Sequence, residues 1–321
     1  MNIFRLIPIG KDYLWGGERL NTEYGKQLGV VPLAETWECS THPDGQSLAE
    51  NYWGEREALV DLIAEHPEYL GTKNLKTKDI PFIVKFIDAK EDLSIQVHPD
   101  DQYAQCEEHQ NGKTEFWYVL DSAKKADLVY GFQCSVTVEI LKNAIISGKL
   151  DNYLQKITPN KGDYFFLPAG TVHGIGAGNL IVEVQEKSNV TYRLYDYNRI
   201  DSNGKRREIH FEKAMDVLNM QPSDVVMQKS KWKQLYNGYS IEKICDCDYF
   251  QIEHIVITDQ YCFEMDSESF CVIVCIDGGG GIVNLEVELP FDVQKGNSFF
   301  LPASIGKCSL SGNMEILRIY A

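Results

Sequence analysis

Short apolar runs rich in Val, Ile, Phe and Tyr recur along the chain, and most end at Gly, Pro, Asn or Asp. Strands bounded by turns leave this pattern, because branched and aromatic side chains suit a pleated sheet and the terminators suit tight turns. The pattern predicts strands over 81–88, 93–97, 115–120, 128–132, 164–167, 180–184, 250–257, 270–276 and 298–301. A helical apolar period is clear in only a few places, predicting helices over 56–65, 136–147, 150–156 and 211–218. A mostly β protein is expected.

An internal repeat organises these elements. KGDYFFLPAGTVHGIGAG at 161–178 recurs as KGNSFFLPASIGKCSLSG at 295–312, a constant offset of 134 residues. Two copies of a strand-turn-strand unit imply two related β domains. With a turn-rich link over 221–240, the expected division is 1–238 and 239–321. The second domain is the shorter, and its copy has Lys307 where the first has His173.

Composition narrows the classes. At 321 residues and 44% apolar content the chain can bury a large core. It contains no run near the eighteen or so apolar residues that a membrane span needs, and its start reaches Lys11 before any signal-like stretch, so a cytoplasmic location is expected. Nine scattered cysteines, an odd number without a secretory signal, read as reduced thiols. The pairs Cys245/Cys247 and Cys271/Cys275 have the spacing of one strand face rather than of a metal motif. A net charge of −16 repels nucleic acid and anionic lipid, leaving a small molecule as the expected partner. A phosphorylated ligand then needs a few basic side chains gathered in one cleft. The glycines at 278–281 lack the Lys-Ser/Thr and helix of a phosphate loop and read as a turn after Asp277.

Four positions could gather around one ion. In LSIQVH (93–98) strand alternation puts Gln96 and His98 on the same face. Glu115 opens EFWYVL, where a carboxylate ahead of apolar residues points to a role at the inward end of the strand. His173 follows the turn Pro168-Ala169-Gly170. Two nitrogens and two oxygens suit zinc with a position left for water or substrate. Singly, each has an ordinary reading: a hydrogen-bonded histidine, a solvent-facing Gln, a Glu115 paired with Lys113. The order of the four resembles a cupin metal site.

LSIQVHPDD (93–101), GKTEFWYVL (112–120), LPAGTVHGIG (167–176) and NVTYRLYDYNR (189–199) resemble type I mannose-6-phosphate isomerases, particularly the short bacterial form. The resemblance runs from Tyr13-Leu14-Trp15-Gly16-Gly17 to about residue 220, and the last third matches in outline only. It implies an all-β fold of two cupin, jelly-roll-like domains, with helices inserted in or flanking the first. It also implies one Zn2+ held by Gln96, His98, Glu115 and His173, and a substrate cleft lined by Lys113, Glu183, Arg193, Arg199, Ser94 and Trp15. Many relatives have His-Lys-Pro before the zinc Glu, whereas this chain has Gly112-Lys113-Thr114, so no role for that His transfers.

Aldose–ketose isomerisation moves a proton between C1 and C2 through an enediol(ate), which requires a base and an electrophile. Glu183 leads as the base, with Lys113 second. Val182 and Val184 take the opposite strand face, which leaves an inward carboxylate open; the plainer reading is an exposed Glu paired across the sheet. Arg193 and Arg199 flank Tyr195 and Tyr197, and guanidinium forks match phosphate oxygens, so Arg199 is expected at the phosphate and Arg193 nearer the reacting carbons. Lys205, Arg206 and Arg207 read as a solvated loop. Two other classes stay open, an iron-dependent cupin oxygenase and a non-catalytic sugar-binding cupin.

Overall fold

The computed structural model describes residues 2–200, 204–224 and 233–321. Residues 225–232 of the expected link and the loop residues 201–203 lie outside the described residues, and the end of that link is not a plain turn region but a hairpin in which the strand Lys233–Tyr236 pairs with Tyr239–Asp246. Within the described residues the chain forms three layers of β-sheet with a few short helices. The middle layer is a six-stranded sheet in the order Tyr164–Leu167, Glu115–Ser122, Asn179–Glu186, Phe82–Ala89, Glu35–Cys39, Ile9–Lys11. Its two faces separate by strict alternation. Phe116, Tyr118, Val182, Val184, Val84 and Phe86 turn one way, into a core shared with Phe270, Val272, Val274, Phe300, Leu317 and Ile319 of the C-terminal half. Trp117, Val119, Ile181, Ile87 and Phe165 turn the other way, towards Leu128, Tyr130 and Ile175 of a five-stranded sheet. That sheet runs Leu154–Ile157, Leu128–Phe132, His173–Ile175, Ile95–Val97, Tyr192–Tyr195.

The C-terminal half curls an eleven-stranded sheet around a second core that includes Ile273, Phe299, Leu310 and Ile316. The N-terminal strand Phe4–Ile7 belongs to this sheet, pairing Phe4 with Phe300 and Leu6 with Ser298. A buried ion pair ties the halves further: Lys26 Nζ lies 2.6 Å from Glu38 Oε1, and Ser298 donates to Glu38 Oε2 at 2.8 Å.

The repeat survives as backbone geometry. Gly162 and Gly296 have φ of 90° and 89°, Gly170 and Ser304 of 84° and 60°, and Gly178 and Gly312 of 89° and 127°. The same left-handed turns therefore recur at the same offset. Three elements differ from expectation. The span 150–156 is a 3-10 turn, Leu150–Asn152, followed by the strand Leu154–Ile157. Leu150 and Leu154 are both buried at a helical spacing, but Leu154 lies opposite Phe132 in a sheet pair, and tertiary pairing overrides the period. Residues 278–281 form no turn and run inside the strand Cys271–Asn284. At Gly278–Gly280 glycine is required because the paired strands crowd together: a Cβ on Gly280 would stand 1.9 Å from Ser311 O. The expected helix over 56–65 opens as the strand Arg56–Ala58 before the helix Leu59–Glu65. Asp100 caps the helix Asp101–Glu107 by accepting from Tyr103 N. All nine cysteines are free. Among the described residues no helix is long and apolar enough to cross a membrane.

Candidate metal centre and substrate cleft

The middle and five-stranded sheets face each other, and their facing sides carry the polar cluster. On the strand Ile95–Val97 and its flanks, Ser94, Gln96 and His98 follow one another at the two-residue spacing of a single face. The register pairs Gln96 with His173 on one side and with Arg193 on the other. Glu115 enters from the opposite sheet. His98 Nε2 lies 3.2 Å from Glu115 Oε1, and His173 Nε2 lies 3.5 Å from Glu115 Oε2. Gln96 Nε2 is 3.4 Å from His173 Nε2, and a half-turn of the amide presents its oxygen to the same point.

The three groups His98, Glu115 and His173 are buried, and their ligand atoms lie within 4.8 Å of one another. Each imidazole is fixed from behind: His98 Nδ1 meets Val190 O at 2.8 Å and His173 Nδ1 meets Thr171 O at 2.8 Å. These contacts place the proton on Nδ1 and direct the Nε2 lone pair inward, the tautomer that a metal requires. Burial, then the Lys113 ammonium, pushes His98 down to about 3, and burial also lowers His173, so both rings are neutral near pH 7. Burial opposes the charge of Glu115, but Lys113, His98 and His173 hold it well below the usual carboxylate range. Neither of its oxygens accepts a well-formed hydrogen bond among the described residues, although Lys113 Nζ stands 3.0 Å away. A buried anion short of partners between two inward lone pairs fits a divalent cation.

Beside this triad a cleft of about 280 Å3 opens, with Trp15, Lys85, Lys113, Glu183, Arg193 and Arg207 in its lining. Glu183 faces inward: Lys85 Nζ donates to its Oε1 at 3.0 Å and Trp117 Nε1 to its Oε2 at 3.0 Å. Burial, reinforced by the Glu115 charge, raises Glu183 above the usual carboxylate range despite Lys85. Burial works against the charge of Lys85, yet Glu183, Glu35 and Glu115 together hold its pKa raised. Arg193 Nε reaches Ser94 Oγ at 3.3 Å, and Ser94 Oγ reaches Gln96 Oε1 at 3.1 Å. Trp15 packs 5.6 Å from the Tyr13 ring along one wall.

Arg199 stands apart from the other expected site residues. Its guanidinium donates to Asp92 O and to Asp196 and does not line the cleft. Asp196 draws it sideways, and the cleft position goes instead to Arg207 from the loop read as solvated. Lys85 and Glu35 are not among the expected site residues, although Lys85 carries the kind of signal that marks Glu115, a charge flanked by apolar residues in PFIVKFIDA.

Residues 3–130 match the family model for the catalytic domain of phosphomannose isomerase type I, and residues 240–321 match that for the cupin domain of mannose-6-phosphate isomerase. The chain is 34% identical over 311 residues to mannose-6-phosphate isomerase ManA of Bacillus subtilis, covering 97% of this chain and 96% of that protein. The chain belongs to the type I mannose-6-phosphate isomerase family. Against mannose-6-phosphate isomerase of Streptococcus mutans, identity is 34% over 309 residues, with 96% of this chain and 95% of the other covered. The crystal structure of the Bacillus subtilis mannose 6-phosphate isomerase superposes with a TM-score of 0.93 at 31% identity, covering 100% of both chains. The fold is thus all-β and cupin, as expected for the family, with its few helices mostly in the N-terminal part.

Glu186 accepts from Thr114 N at 2.7 Å, holding the turn that leads into Glu115. Burial pushes Glu186 from 4.5 up to about 8, against that hydrogen bond and with help from the Asp101 carboxyl. Because the folded pKa lies above the unfolded one, its contribution is full below about 4.5 and is lost as pH rises towards about 8. Glu186→Gln keeps the acceptor without the charge. Its melting temperature is expected to exceed that of the parent at pH 8, by roughly 2–4 °C per kcal/mol relieved, and to converge with it at pH 4.5. Melts that differ equally at both pH values would rule this out.

Proposed function

We propose that this aldose–ketose isomerase is zinc-dependent and interconverts mannose 6-phosphate and fructose 6-phosphate by moving a proton between C1 and C2. The observation that carries the reading is the convergence of Gln96, His98, Glu115 and His173 beside a buried Glu183. Those four side chains would hold one Zn2+ per chain. Two imidazoles, a carboxylate and an amide oxygen suit zinc, which when bound supplies positive charge beside the sugar's C1 and C2 oxygens. Glu183 serves as the base that takes the proton from one carbon and returns it to the other, and its raised pKa strengthens it for that task. Lys85 and Trp117 hold its two oxygens in position. Lys113, the second candidate, has its Nζ committed to Glu115 and His98, where its charge steadies an oxyanion better than it accepts a proton. Arg193 orients the sugar near Ser94, and Trp15 closes the wall. Residues 1–238 carry this chemistry and 239–321 act as a scaffold, since Lys307 replaces the histidine and an ammonium cannot ligate zinc.

Metal analysis with a coupled mannose 6-phosphate assay tests the reading. One zinc per chain is expected, with activity abolished by chelation and restored by zinc. Full turnover in metal-free protein, two bound zincs, or iron with oxygen uptake would each end it.

A further inference from the structure

We infer that Arg207, on the loop after Gly204, selects the phosphoryl group of the substrate, and that Arg199 positions it through their shared partner Asp196. The inference rests on the isomerase reading for the kind of ligand, and on charge and hydrogen-bond geometry for the place. In a chain of net charge −16, an anion can settle only where local cations outnumber carboxylates. The side chains of the inner part of the cleft leave no spare cation for a phosphoryl group: Lys85 is matched there by Glu183 and Glu35, with Nζ distances of 3.0 and 3.8 Å. Lys113 is matched by Glu115 at 3.0 Å.

The other part has cations to spare. Among the described residues, the guanidinium groups lining the cleft are those of Arg193 and Arg207. With Arg199 they make three cations around Asp196, whose companion Glu208 has a side chain 82% exposed. Arg193 feels this excess: burial first, then the nearby charge of Arg207, lowers its pKa. An incoming dianion relieves that repulsion.

Arg193 Nε contacts Ser94, two strand residues from Gln96, and Arg193 and Arg207 line the same cleft as Gln96 and His173, so the arginine pair adjoins the candidate metal centre.

Arg207 is built into place. Its Nε donates to Asp196 Oδ2 at 2.8 Å and its Nη2 to Asp196 Oδ1, and its side chain is 24% exposed. The loop is pinned to the strand of Arg193 by His210 N donating to Arg193 O at 2.8 Å and Arg193 N donating to His210 Nδ1 at 3.2 Å. A fork held on one side by a carboxylate presents its remaining edge in a fixed direction, which suits phosphate oxygens better than a mobile lysine.

The test uses the zinc-loaded full chain, steady-state kinetics with mannose 6-phosphate, and calorimetric titration with inorganic phosphate. Arg207→Met is expected to raise KM and to weaken phosphate binding by about ten- to a hundred-fold, with zinc content unchanged and kcat moved far less than KM. Arg207→Lys, which keeps a charge near Asp196 without the fork, should recover part of the loss, and it carries the test alone if Arg207→Met does not fold. Unchanged KM and phosphate affinity would overturn the inference. So would a fall in kcat at constant KM, which would make Arg207 a prop for Asp196. If the parent turned over no mannose 6-phosphate, the isomerase reading would fail by itself, and the phosphate titration would still decide Arg207: weakened binding in Arg207→Met upholds it, and equal or absent binding in both proteins overturns it.

Discussion

Glu115→Ala is expected to lose bound metal and turnover together, with kcat/KM down by roughly three orders of magnitude or more, since the electrophile is worth several kcal/mol and each 1.36 kcal/mol is tenfold. Glu115 is the one anion between His98 and His173, with Nε2–oxygen distances of 3.2 and 3.5 Å. Its removal leaves two neutral imidazoles facing the buried Lys113 ammonium, 3.3 Å from His98 Nε2, an environment that rejects a cation. His173→Ala should lose metal too, but it keeps the carboxylate, so excess zinc should restore it better than Glu115→Ala. The measurement is metal content by mass spectrometry alongside turnover. Glu115→Ala with a full complement of zinc would remove the carboxylate from the ligand set.

Glu183→Gln is expected to keep its zinc and its KM while kcat falls by about 10²–10⁴-fold, the range of a positioned general base. The amide still offers an oxygen to Trp117 Nε1, so the strand should retain its place. Activity in the parent should rise with pH through a limb above the usual carboxylate range, because burial raises Glu183 and the base must be ionised. That limb should vanish in Glu183→Gln. If it persists there with kcat intact and disappears in Lys113→Met, the base is Lys113.

Local pattern was enough for much of the candidate centre. Strand alternation placed Gln96 and His98 on one face, and the inward-facing Glu115 was legible as a charge ahead of an apolar run. The Pro168-Ala169-Gly170 turn marked His173, and its repeat at residue 304 keeps the left-handed backbone with Ser in place of Gly. These signals span a few residues each, where side-chain direction follows from the pleat alone. The same alternation put Glu183 opposite Val182 and Val184, as the register with Trp117 and Lys85 bears out.

Only the tertiary structure decided which charges meet. Lys85 and Glu183 are 98 residues apart and pair through the sheet register, a non-local fact that no window on the sequence contains. Arg199 and Arg207 are equally basic in the chain and adjoin the same aromatic segment. Asp196 holds both, and the course of the loop from Gly204 to His210 turns one sideways and the other into the cleft. Gly278, Gly279 and Gly280 likewise follow from paired strands that lie too close for a Cβ. By itself the sequence determined many of the strands, the repeat and the candidate ligand residues, because these depend on local backbone and side-chain chemistry. Packing and register decided the partners of each charge, because the stabilisation of a buried ion depends on what the rest of the chain brings beside it.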